Sequence, residues 1–175
     1  IKELEKLQDS VEPVEFEEIE KIIEESYGKK KEEIFKYIAE TPLGSASIAQ
    51  VHRALFWDGE EAVLKVKKPG IDHIIELDTT ILYHIALIIE KRMPELEYYN
   101  PVKLVNEFSS TIKKELDFTR EGRNNDIVRL NFKENDMLLV PKIYWDYTVK
   151  NVLVMEYIIG EPMAEFLSRE SSNRH

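Results

Sequence analysis

No cysteine occurs in the 175-residue chain. That excludes a disulfide framework, a thiolate zinc site and a cysteine nucleophile together. Histidine is scarce, with only His52, His73, His84 and His175, and no two of them stand at metal-ligand spacing, so a histidine-rich metal site is not expected. Long apolar runs are missing. The most apolar stretch, Ile81 to Ile89, is interrupted by His84 and falls well short of the roughly 20 residues a membrane helix needs. No signal peptide marks the start, and Ile1 is not a natural initiator, which sets the expectation that the chain begins inside a longer protein. Positive charge is in deficit, 24 Lys and Arg against 34 Asp and Glu, for a net −10. Such a surface repels polyanions at long range, so no nucleic-acid partner is expected, and broad contact with an anionic membrane is disfavoured.

What is present suffices for a buried core, since 43% of the residues are hydrophobic. The first forty residues read as helix. Val14, Phe16, Ile19, Ile22 and Ile23 recur at mostly three- and four-residue spacing among glutamates, Gly28 is a stop, and Ile34, Tyr37 and Ile38 suggest a short second helix. From Pro42 the texture changes. Small residues fill Gly44 to Ala49, then Val51 to Phe56 and Ala62 to Lys67 read as strands joined at Asp58-Gly59. Ile71 to Arg92 reads as a helix so dense in apolar residues that burial on more than one side is expected, and Pro94 closes it. A second long helix is expected from Pro101, a good first-turn residue, to about Phe132. Two further strands follow, Leu138 to Trp145 and Asn151 to Tyr157. Ser168 to His175 lack core-building residues and read as a tail. The order is α+β with an antiparallel sheet.

Three places could carry chemistry. The string Gly44-Ser45-Ala46-Ser47-Ile48-Ala49-Gln50-Val51 follows the spacing of a kinase phosphate-covering loop, G-x-G-x-x-G-x-V, with alanine at two glycine positions. Small side chains let backbone approach a phosphate, although alanine lacks glycine's access to positive φ. Taken alone, a tight hairpin packed with small residues is the commoner outcome. Lys65, in Ala62-Val63-Leu64-Lys65, has the place of the lysine in V-A-I-K that contacts α- and β-phosphates; a strand lysine with its head in solvent is the usual alternative. Late in the long helix lie Lys113, Lys114, Glu115, Asp117, Arg120, Glu121 and Asn124. Asp117 and Glu121 share a side and repel mildly. Lys113, one turn earlier, can offset Asp117, while Glu121 needs a cation from elsewhere, such as Lys65. Glu115 faces another partner if the helix is continuous. Alone, this cluster reads as a solvated face.

Together these strings resemble the UbiB family, atypical kinase-like proteins linked to ubiquinone and isoprenoid-lipid metabolism. The matching stretches are Leu7-Gln8-Asp9, Pro42 to Ala54, Val63 to Ile71, Lys114 to Asn124, Val140-Pro141 and Val152 to Glu156, in the family's order along nearly the whole chain. The resemblance implies a protein-kinase-like N-lobe with a small antiparallel sheet, long helices and an N-terminal helical extension. Its implied divisions are 1–40 for the extension, 41–160 for the lobe with an inserted helix at about 71–94, and 161–175 for the connection to a C-lobe and a disordered tail.

The resemblance also implies roles. Gly44, Ser45, Ala46, Ser47 and Ala49 form the family's alanine-rich loop, with Val51 and Val63 about the nucleotide. Lys65 contacts nucleotide and Glu121 is its ion-pair partner. Glu115 and Asp117 form an E-x-D regulatory motif engaging a helical extension over the site. Glu156 to Ile158 form the hinge where backbone meets adenine. ATP and Mg are the implied cofactors of the full-length protein. Gly44 stands where relatives often have alanine, implying a looser loop. Val63 stands where kinases have alanine, implying a tighter adenine roof. No H-R-D-like or D-F-G string occurs. The catalytic loop and metal ligands are expected downstream of Leu167, and a K-x-G-Q motif upstream of Ile1.

The expected function is the nucleotide-binding lobe of an atypical kinase or ATPase supporting ubiquinone or related isoprenoid-lipid metabolism, with little turnover by this stretch alone. A second expectation is a regulatory or scaffold module of a lipid-biosynthesis complex, with isoprenoid lipid or lipid-biosynthesis proteins as partners. A third is a structural domain in which Lys65 and Glu121 never meet. Apolar surface left uncovered by an absent lobe would favour self-association. The resemblance places the protein in the cytoplasm or peripheral to a membrane.

Overall fold

The computed structural model describes residues 11–161 together with Met163, Phe166 and Arg169. Leu7-Gln8-Asp9 and most of the expected tail lie outside the described residues. Helix α1, Phe16–Tyr27, carries Ile19 and Ile23 on a fully buried stripe and ends at Gly28, whose positive φ of 65° lets its N–H close on Glu24 O. After a 3₁₀ turn at Lys31–Glu33 comes strand β1, Phe35–Ile38. The expected second helix is therefore a strand. Its register shifts between Phe35 and Tyr37, so that Phe35 and Ile38, three residues apart, both point inward. That bulge imitates helical spacing.

Strands β2 (Gly44–Ser45), β3 (Ala49–Phe56), β4 (Glu61–Lys67) and β5 (Val152–Glu156) complete an antiparallel sheet in the order β1-β3-β4-β5, with β2 paired to the start of β3. The expected β3–β4 hairpin is present, turned at Gly59 with φ 92°. The first of the two late strands is not. Only Ile143 bridges Met155 in that run, where Pro141 offers no N–H to a ladder and Leu138 and Leu139 stay exposed.

Helix α2 spans Ile71–Arg92, a 3₁₀ segment follows at Pro94–Tyr99, and α3 spans Pro101–Glu115. Helices α2 and α3 pack on each other as a hairpin. The expected two-sided burial of α2 does not hold: Thr79 and Ala86 are buried, while Ile74, Leu77, Ile81, Ile85 and Ile88 are each about half exposed, because α3 and the 3₁₀ segment cover one side only. The long helix expected from Pro101 to Phe132 is two helices. It breaks at Leu116–Asp117, and α4 runs Phe118–Asn131. Asp117 takes an extended conformation and caps α4 by accepting from Thr119 N at 3.0 Å.

The sheet lies between α1 and α4. On one face Ala54, Phe56, Ala62, Leu64, Val66, Val152 and Val154 close on Ile19, Ile23 and Phe35. On the other, Ala49, Leu153 and Ile143 pack on Phe118.

A lysine–glutamate pair between the sheet and helix α4

Alternation along β4 sends Leu64 and Val66 into the core and leaves Val63 and Lys65 half-buried on the opposite face. Lys65 is in register with Val51 on β3 and Leu153 on β5, and Val63 with Arg53 and Met155. The face bearing Lys65 is the face α4 covers. Lys65 Nζ donates to both carboxylate oxygens of Glu121, at 2.8 and 2.7 Å, and lies 4.9 Å from the centroid of the buried Phe118 ring. The expectation that these charges never meet is thus overturned.

The contact depends on how closely α4 approaches the sheet. Gly122, next to Glu121, makes that possible: a Cβ there would meet Trp145 Cη2 at 3.0 Å and Leu153 Cδ1 at 3.2 Å. Trp145 is held by the same helix one turn on, its Nε1 donating to Asp126 at 2.7 Å. The start of α4 is fixed by Phe118 N donating to Lys150 O at 3.1 Å. Phe118, Gly122 and Trp145 were not singled out from the sequence. A lone glycine inside a helical pattern was the available signal.

The small-residue loop stands beside this pair. Gly44 pairs with Val51 and Ser45 with Gln50, and Ala46 N donates to Ala49 O at 2.8 Å, closing a short hairpin. Asn100 is the only non-glycine residue with positive φ among the described residues, so Ala46 and Ala49 sit without backbone strain. Gly44 has no positive φ, and a Cβ there would meet nothing within 4 Å, so glycine is not required at this position. Ser47 is exposed at the tip. Ser45 Oγ is buried with no partner among the described residues. Ser45 is in register with Gln50, so this hydroxyl belongs to the α1 side of the sheet, away from Lys65.

Glu115 and Asp117 do not lie on one continuous helix with Glu121. With Arg120, Glu121 and Asn124 they line a cavity of about 180 Å³. Lys113 does not serve Asp117. Burial pushes the Asp117 carboxyl up, but hydrogen bonds from Thr119 and the charges of Arg123 and Lys150 outweigh it and hold it below the usual range. At the opposite end of the site, Glu156 pairs with Ala62. Its N–H donates to Lys142 O at 2.8 Å and its Oε2 accepts from Lys142 N at 3.0 Å, whereas Ile158 follows outside the strand. No three His, Asp or Glu side chains among the described residues gather where they could hold a metal. No helix among them is long and apolar enough to cross a membrane.

Comparison with known proteins fits this geometry. Two bacterial proteins named "Probable protein kinase UbiB" align with the chain. That of Cellvibrio japonicus is 42% identical over 163 residues, 93% of this chain and 30% of its own length. That of Marinobacter nauticus is 41% identical over 169 residues, 97% of this chain and 31% of its own. The chain thus spans about three tenths of the length of these relatives. A Mycobacterium tuberculosis protein solved in complex with erythromycin superposes with a TM-score of 0.76 at 26% identity, over 95% of this chain and 41% of that one. The expected kinase-like N-lobe architecture holds in this likeness. The model of the ABC1 atypical kinase-like domain matches residues 6–175, and the chain belongs to that family.

Proposed function

We propose that this chain is the nucleotide-facing lobe of an atypical, ATP-dependent kinase or ATPase, and that the full-length protein acts in ubiquinone or related isoprenoid-lipid metabolism. The observation that carries the reading is the two-oxygen grip of Glu121 on Lys65 beside a strain-free small-residue loop. A lysine held in this way presents its remaining donor capacity in one fixed direction, which is what positioning a polyphosphate demands. Val51 and Val63 give the adenine an apolar surface, and the chain leaving β5 through Tyr157 and Ile158 gives it backbone groups. Glu115 and Asp117, beside Glu121, are placed to receive a covering segment.

A divalent metal bound with the triphosphate would neutralise charge there; no described residue of this chain is assigned to hold it. The lipid connection rests on the relatives' names.

The test is Lys65→Ala in the full-length protein. Nucleotide-dependent activity should fall by about 10²-fold or more, as when a group aimed at transition-state charge is removed. Retained activity refutes the assignment. Tight ATP binding without hydrolysis under any lipid or partner condition makes the protein a regulatory or scaffold module instead.

A further inference from the structure

Gln50 and His52 are fully buried polar residues on β3, on the face away from Lys65. Gln50 Oε1 accepts from Val14 N at 2.5 Å and its Nε2 donates to Val14 O at 3.3 Å, so one side chain pairs with both backbone groups of a residue 36 positions earlier. The same Nε2 lies 3.3 Å from His52 Nε2, and His52 Nδ1 lies 2.8 Å from Ala39 O. A carbonyl only accepts, so His52 carries its proton on Nδ1 and offers Nε2 as acceptor to the second amide hydrogen of Gln50. Burial holds the imidazole below its ordinary pKa and so keeps it neutral. Every donor and acceptor in this chain of bonds then has one direction and a partner.

A second tie lies alongside. Lys68, nearly buried, donates from Nζ to Glu12 O at 3.2 Å, and its backbone N–H donates to Ile48 O at 2.9 Å. The segment Glu12–Val14, which leads into α1, is therefore bonded at two points to the frame of the small-residue loop. One point is Gln50, paired in register with Ser45; the other is Lys68, bonded to Ile48 inside the loop.

We propose that Gln50 is a positioning residue that makes the loop at residues 44–49 follow the segment preceding α1, so that whatever displaces this segment resets nucleotide affinity. Its functional half rests on the nucleotide assignment above; its structural half does not. One tie meets the loop's frame at Gln50, opposite Ser45, and the other at Ile48. The loop's contacts with β3 through β2 are short, and a shift at Gln50 moves Ser45 with it.

The test uses full-length protein carrying Gln50→Met, which keeps the volume and removes the amide, with Lys68→Met, which removes the other tie, as a second variant. Hydrogen exchange is read first without nucleotide. Gln50→Met should speed exchange at the Val14, Ala46 and Lys68 amides together by about tenfold, on the scale of one net hydrogen bond. Leu64 and Val66 on β4 should be unchanged, and Lys68→Met, which removes one bond, should give a smaller shift of the same pattern. Loosening confined to Val14 overturns the coupling, and loosening that extends to β4 reduces Gln50 to a core residue. Kinetics are read second. The KM for ATP should rise about tenfold with kcat within about twofold; a fall in kcat at constant KM overturns the positioning role. Absence of nucleotide turnover in the unmutated protein would sink the functional assignment while leaving the exchange result standing.

Discussion

The two faces of one sheet have been put to different uses. Against α1 the sheet buries aliphatic and aromatic side chains, with Phe35, Leu64, Val66, Val152 and Val154 all but sealed from solvent. Against α4 the same strands present a lysine, a half-exposed valine and a carboxylate brought in from the helix. The first face derives its order from close packing, with the Gln50–His52 network as a polar inclusion. The second derives it from a few directional contacts, the Lys65–Glu121 pair and the glycine that lets α4 approach. Loss of packing should therefore appear as lost stability, and loss of a directional contact as lost function.

Adjacent residues on β4 give the sharpest contrast. Leu64→Ala should cost about 2–5 kcal/mol, seen as a lowered denaturant midpoint. Lys65→Ala, one position along, should cost under about 1 kcal/mol because its partner is partly solvated, although it removes activity. A large stability loss for Lys65→Ala would erase the distinction between the faces.

Gly122→Ala tests the close approach. The added methyl must push Trp145 or Leu153, at an expected cost of about 1–3 kcal/mol with a weakened Lys65–Glu121 contact. Nuclear magnetic resonance of the Trp145 indole would register the displacement.

A smaller effect belongs to pH. His52 is held below its ordinary pKa by burial, so between its folded value and the unfolded value of about 6.5 the unfolded chain binds more protons. Stability from this source is complete above about pH 6.5, declines as pH falls, and levels off below the folded pKa. Unfolding curves at stepped pH should show the decline in the unmutated protein and lack this component in His52→Gln. The smallest effect is Gly44→Ala, expected to raise stability by about 0.4–1 kcal/mol through a stiffer unfolded chain, which a thermal melt can detect.

Much of this was legible in the sequence where local chemistry and tertiary packing agree. Asp58-Gly59 between alternating runs specified the β3–β4 hairpin, and Pro94 marked the end of α2. Legibility failed where tertiary structure altered a local period. The bulge in β1 spaced Phe35 and Ile38 like helix positions. The break before α4 lies between two stretches that are each helical, and only Asp117 followed by Thr119, a capping arrangement, marked it. Gln50 and His52 were not singled out as buried, because their partners, Val14 and Ala39, supply backbone groups that no side-chain pattern records. Glu121 was found from the charge pattern of its segment, which left it in need of a cation such as Lys65, and the resemblance implied the same pair; Phe118 and Gly122, which set its distance from the sheet, were not found.

The break at Leu116–Asp117 has a consequence for how the molecule tolerates change in length. Lys67 N donates to Asn151 O, and Phe118 N donates to Lys150 O, so the chain departs for the α2–α3 hairpin and returns from it at two consecutive carbonyls of one turn. Apart from the Lys67–Asp72 ion pair and the cavity that Glu115 shares with Glu121, the stretch from Ile71 to Glu115 is in effect a branch grafted at one node. Shortening, extending or exchanging that branch transmits no leverage to α4, and the spacing between ammonium and carboxylate should survive such surgery intact.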